Sequence, residues 1–206
     1  MRLHFAPNTI SIAVAITLEE AGLDYEPVKV DFAASAQSGP DYLAINPKGR
    51  VPAVETGSGI LTETGAILEY IAALAPAADL MPDDPGQAAR VRSVMYYLAS
   101  TMHVNHAHRM RGHRWADQQS SWDDMAAKVP QTMAQSSAFV DSDCLAGPFV
   151  MGTRFSIADP YLFMVCSWLD GDGVAVSDYP KLAEFLAEME ARPSVRAVRS
   201  KGMLTL

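Results

Sequence analysis

The chain has 206 residues, 49% of them hydrophobic and 19% charged, so it can form one large or two small domains and is far from the composition of a disordered chain. A formal charge of −8 argues against a phosphate-tracking surface and so against a nucleic-acid partner. Two scattered cysteines, Cys144 and Cys166, exclude a disulfide framework or metal knuckle; with no run near the ~20 apolar residues of a membrane span and no leader-like segment, a soluble cytoplasmic protein is expected.

Residues 2–6 (RLHFA) read as a strand, and residues 10–21 carry apolar side chains at helical spacing up to a stop at Gly22. YEPVKVDF, residues 25–32, alternates as a second strand, which makes a β-α-β opening. A polar stretch at 35–40 leads into DYLAINPKGRVPAVE, where Asn46, Pro47 and Gly49 mark a turn and residues 51–55 an extended piece. GSG and ILTE then suggest a hairpin, and residues 65–75 an amphipathic helix, so the first eighty residues read β-α-β-(α)-β-β-α.

Prolines, aspartates and Gly86 crowd residues 76–86, which sets the expected organisation: a unit at 1–80, a linker at 81–86 and a helical unit at 87–206. Beyond the linker almost nothing looks like a strand. Residues 87–111 form a helix stopped by Gly112; residues 120–143 form another that Pro130 must kink or divide. FSIADPYLFMVCSWL opens with Ser156 three residues before Asp159, the spacing of a capping box, and continues as a buried apolar helix. Two shorter helices follow at 180–191 and 194–200. No repeat or low-complexity tract is present.

The FAP opening, EEAGLDYE (19–26), NPKGRVPAV (46–54), LTETGAILEYIA (61–72) and FSIADPYLF (155–163) follow one another as they do in cytosolic glutathione transferases, and over its whole length the chain resembles that family. The resemblance implies a thioredoxin-like domain with a mixed four-stranded sheet, followed by an all-α bundle domain that shapes the acceptor site. It also implies a homodimer that adds glutathione thiolate to small electrophiles, with glutathione as co-substrate and no other cofactor. Two further functions stay open: glutathione-dependent disulfide reductase or peroxidase chemistry, and a binding protein that keeps the fold without turnover.

Several site residues follow from the resemblance. Arg50, Val51 and Pro52 would line the tripeptide, with the Val51–Pro52 bond cis and the Val51 backbone pairing with the cysteinyl unit; read from the residues alone, Pro52 can equally begin a strand. Thr64, before a helix, would receive a carboxylate and Glu63 the ammonium of the γ-glutamyl group, although the same pair also reads as a helix cap beside a solvated glutamate. Ser100 and Asn8 complete the binding set.

A glutathione thiol with a pKa near 9 needs a donor to hold it as thiolate at neutral pH. The bacterial beta class has a cysteine that falls at Ile10 here, the theta-like class a serine that falls at Asn8, and no tyrosine occupies the turn. Thr9, Ser11 or the first helix amides therefore remain as donors; Thr9 and Ser11 also suit helix capping, and the two roles are compatible. In HVNHAHRMRGHRW, residues 103–115, a metal site is disfavoured because no acidic ligand stands at suitable spacing. The cations there either answer the carbonyls of a helix end or line the site; by resemblance His103 approaches the thiol, and Arg109 and Arg111, read from the residues alone, are further candidates to reach an anionic acceptor.

Overall fold

The apolar opening becomes β1 (Arg2–Phe5), and in the computed structural model, which describes residues 1–206, this is an inner strand of a four-stranded sheet of order β2-β1-β3-β4. β2 (Glu26–Lys29) lies parallel to β1, while β3 (Ala53–Thr56) and β4 (Gly59–Thr62) form the expected hairpin and β3 runs antiparallel to β1. A parallel pair needs a crossover, and α1 (Ser11–Ala21) supplies it, ending at Gly22 with a left-handed φ of 63°. The second strand is shorter than the 25–32 expected, because Asp31 turns the chain out by accepting the Ala33 amide at 3.0 Å. α2 (Pro40–Ile45) and α3 (Thr64–Leu74) complete this half.

The rest is helical. α4 (Pro85–Tyr97), a π turn at Leu98–Met102 and α5 (His103–Arg111) make one continuous rod, followed by α6 (Gln119–Phe139), α7 (Ala158–Cys166), α8 (Pro180–Glu190) and α9 (Pro193–Ser200). α4 begins inside the segment expected as linker, because Asp84 accepts the Gln87 amide at 2.8 Å and Pro85 suits the first helical position. α1 is buried on every side from Ser11 to Leu18: it packs on α3 within the sheet half and on α7 and α9 of the helical half. Such a helix needs no amphipathic stripe. One apolar core accordingly runs through both halves, from Leu3 to Leu204, and Glu20 at the end of α1 meets Arg192 through bonds of 2.6 and 2.7 Å.

Two local expectations are refined. Of the two outcomes expected at Pro130, division does not occur: α6 runs unbroken through the proline. The capping box forms by half: Asp159 accepts the Ser156 amide at 2.7 Å, but the Ser156 hydroxyl donates to Asp159 at 3.0 Å instead of accepting an amide. Asp159 Oδ1 takes a further amide, Val150, at 2.8 Å, so this carboxylate ties the 149–154 turn to α7.

Candidate active site

Sheet register gathers the site. Ala53 pairs with His4 on one side and Thr62 on the other, so the turn after β1, the segment before β3 and the residues after β4 all emerge at one end of the sheet. The segment before β3 holds Val51–Pro52, whose peptide bond is cis as the resemblance implies. Arg50 carbonyl oxygen accepts from the Tyr42 hydroxyl at 2.7 Å and from Asn46 Nδ2 at 2.6 Å, which fixes the strand entry, whereas no bond within the chain uses the Val51 N–H or C=O. A backbone donor and acceptor left free side by side form a ready edge for another extended chain.

After β4, Glu63 takes φ 72° and ψ 118°, a costly conformation for a residue with a Cβ, of the kind that concentrates at functional sites. It starts α3 without a side-chain cap, and Ile67 is the first amide to reach back, to the Glu63 carbonyl at 3.0 Å. The amides of Thr64, Gly65 and Ala66 stand ahead of the helical ladder and, with the helix dipole, favour an anion. The exposed Glu63 carboxylate meets Lys48 Nζ at 2.6 Å, and the same ammonium reaches Thr62 Oγ1 at 2.7 Å.

The turn after β1 is locked from both halves. Asn8, at φ 59°, exchanges two bonds of 2.8 Å with Thr205 through its side-chain amide, and its carbonyl accepts the Trp168 indole N–H at 3.0 Å. Thr9 Oγ1 lies 2.8 Å from the Ala6 carbonyl and 2.7 Å from Ser11 Oγ. Ser11 is fully buried and also bonds both polar backbone atoms of Ala6, each at 3.2 Å. Both hydroxyls are engaged inside the turn, Thr9 donating to the Ala6 carbonyl; of the two, Thr9 is the one partly exposed, and its proton would have to leave that carbonyl to point outward. The Ile12 and Ala13 amides are bonded to the Thr9 and Ile10 carbonyls, at 3.0 and 3.1 Å, while the Ile10 amide has no partner in the chain.

The helical half supplies the facing wall. His106 stacks on Trp168 with ring centroids 4.2 Å apart, and its Nδ1 lies 2.8 Å from Asp172, a wholly buried carboxylate that Arg109 also approaches at 3.6 Å. That contact fixes the ring and leaves Nε2 for other partners. His103, 5.1 Å from Trp168 between ring centroids, is pushed down to about 4, by burial first and then by the charges of His106 and three arginines, so it is a neutral imidazole at neutral pH. The π turn immediately before His103 adds a residue to one turn and thereby resets which face of the rod carries these histidines.

Residues 2–73 match the glutathione S-transferase N-terminal domain family and residues 114–201 the glutathione S-transferase C-terminal domain family. This chain belongs to the glutathione S-transferase family. A crystal structure of a glutathione transferase homologue from Sulfitobacter with bound glutathione is 64% identical, with a TM-score of 0.97 and 98% of each chain covered. The glutathione S-transferase GstA of Escherichia coli O157:H7 is 29% identical over 98% of this chain and 100% of its own. The maleylacetoacetate isomerase of Pseudomonas aeruginosa is 30% identical, covering 95% of this chain and 94% of its own.

Within this transferase fold the expected residues divide. Thr9, Val51, Pro52, Glu63 and Thr64 converge on one end of the sheet, and Arg50 adjoins them. Asn8 has its side chain committed to the C-terminal segment, Ser11 is sealed beneath Thr9, and the exposed Ser100 hydroxyl meets only Thr101, at 3.4 Å. Sequence reasoning missed Lys48, Tyr42, Asn46, His106, Asp172 and the polar role of Trp168, which it read as packing. A signal existed for His106, three residues after His103 and so on the same face; none existed for Asp172, which lies 66 residues away along the chain.

Proposed function

We propose that this chain is a glutathione transferase that holds the tripeptide across the end of its sheet and adds its thiolate to small electrophiles. The observation that carries the reading is the free Val51 backbone pair lying at the same end of the sheet as the uncapped start of α3. The cysteinyl backbone of glutathione pairs with Val51, its γ-glutamyl carboxylate sits on the Thr64 end of α3, and its ammonium shares Glu63 with Lys48. Sulfur then faces the opening turn, where the Ile10 amide, and the Thr9 hydroxyl once it turns away from the Ala6 carbonyl, donate to it and favour the thiolate. The thiolate forms the new carbon–sulfur bond while a leaving group departs or a double bond takes up a proton.

Residues 1–80 serve as the glutathione-binding unit and 87–206 as the unit that shapes the acceptor site, joined through 81–86, in a cytoplasmic homodimer. The protein's own thiols fit no disulfide-exchange role: burial pushes Cys144 up to about 11 and Cys166 higher still. Calorimetry with glutathione, paired with conjugation of chlorodinitrobenzene, tests the reading. Micromolar to millimolar binding with turnover is expected; no heat at millimolar glutathione removes it.

A further inference from the structure

Asn8 spends every polar group it has on partners far along the chain. Its backbone N–H donates to the Met203 carbonyl at 3.1 Å, and its carbonyl accepts the Trp168 indole N–H at 3.0 Å. Its side-chain Nδ2 donates to the Thr205 hydroxyl and its Oδ1 accepts the Thr205 N–H, both at 2.8 Å. Glycine would make the left-handed bend at φ 59° without cost; asparagine makes it at modest cost and adds the two bonds to Thr205.

The partners are themselves anchored in the helical half. Gly202, left-handed at φ 68°, ends α9 and turns the chain so that Met203 and Leu204 enter the core while Thr205 reaches Asn8. Trp168 is nearly buried, and His106 stacks on it with ring centroids 4.2 Å apart and planes within 23°. Asp172 in turn holds His106 at 2.8 Å, so contacts run unbroken from Asp172 to the opening turn.

What this clamp can control is the one free donor beside it. Among the amides of residues 8 to 11, Asn8 is bonded to Met203, Thr9 to the Ala6 carbonyl at 3.4 Å and Ser11 to Thr9 Oγ1 at 3.4 Å, which leaves Ile10. The Ile10 N–H lies one peptide beyond the clamped Asn8 carbonyl, so its direction follows the backbone angles that the clamp fixes.

We propose that Trp168 and Thr205 are positioning residues: acting through Asn8, they aim the Ile10 amide at the glutathione sulfur and so lower the pKa of its thiol. The inference rests on the transferase reading above. The thiol proton passes to solvent, and the aimed N–H stabilises the anion left on sulfur. Thiol reactivity is then set by the helical half, although every group assigned above to hold glutathione lies in the sheet half.

Two ligands separate positioning from plain stability. Ultraviolet absorbance titrates the thiol of bound glutathione, and calorimetry with S-methylglutathione, which has no thiol to ionise, reports the cradle alone. Trp168→Phe keeps a ring for His106 and removes the indole N–H; it should raise the bound thiol pKa by about half a unit to one unit, the worth of one neutral hydrogen bond. Thr205→Val should raise it as well, and Thr205→Ser should return it to the wild-type value. All three variants should bind S-methylglutathione within about twofold of wild type. Thr205 is exposed, so its two variants carry the test should Trp168→Phe fail to fold. Unshifted titrations in both Trp168→Phe and Thr205→Val overturn the proposal and leave the transferase reading intact. So does an equal loss of affinity for S-methylglutathione, which would mean that the clamp only holds the fold together. If the wild-type protein binds neither ligand, the transferase reading falls and the proposal with it.

Discussion

Asp159 offers a quantitative test of how the helical half is held together. It is fully buried and accepts three hydrogen bonds, from the Val150 amide at 2.8 Å, the Ser156 amide at 2.7 Å and the Ser156 hydroxyl at 3.0 Å. Burial outweighs those bonds and raises its carboxyl from 3.8 to about 6. The folded protein therefore binds this proton more tightly than the unfolded chain does. As pH rises through 4 toward 6, the unfolded state ionises first and gains, so this group's contribution to stability falls across that window and is flat above it. Two units at ~1.4 kcal/mol each give a loss of about 3 kcal/mol. Asp159→Asn cannot titrate, and it turns an NH2 toward one of the amide donors, a pH-independent cost of about 1–3 kcal/mol. Reversible urea unfolding of both proteins at fixed concentration, from pH 4 to pH 7, should show the wild-type advantage over the variant shrinking by about 2–2.5 kcal/mol, the rest of the effect lying below pH 4. An advantage that is constant, or that grows with pH, would refute the argument that desolvation dominates this carboxylate.

Other substitutions probe the site. Thr9→Ala should raise the pKa of bound glutathione thiol by about one to two units, the equivalent of a charge-assisted bond of ~1.5–3 kcal/mol, read from thiolate absorbance in the ultraviolet; an unshifted titration would mean that Thr9 does not face the sulfur. Asp172→Asn weakens the contacts of a buried carboxylate with the part-exposed His106 and Arg109, and thermal or urea unfolding should report a loss of about 1–3 kcal/mol. No measurable loss would show that these contacts do not stabilise the fold. Thr64→Ala should weaken glutathione binding about tenfold to a hundredfold, from one lost hydrogen bond to a charged group of ~1.5–3 kcal/mol. If calorimetry gives wild-type affinity for that variant, the carboxylate sits elsewhere than at the start of α3.

Local chemistry in the sequence determined most of the architecture. Gly22 stops α1 because the left-handed C-cap conformation costs glycine nothing, the GSG turn closes the β3–β4 hairpin, and helical periodicity marks α3 to α9. The start of α3 at Thr64 was legible from local pattern, whereas the glutathione-binding roles given to Glu63 and Thr64 came from the family resemblance. Other features depended on partners that no local pattern names. The Asp172–His106 contact joins residues 66 apart, and the Asn8 side chain bonds Thr205 across 197 positions. Ser11 and Thr9 look equivalent in sequence, yet packing of α1 against α7 and α9 seals one and leaves the other partly open. Residue spacing encodes backbone propensity and which face is apolar; which hydroxyl reaches a ligand and which imidazole a carboxylate orients are settled only when distant segments pack and remove water between them.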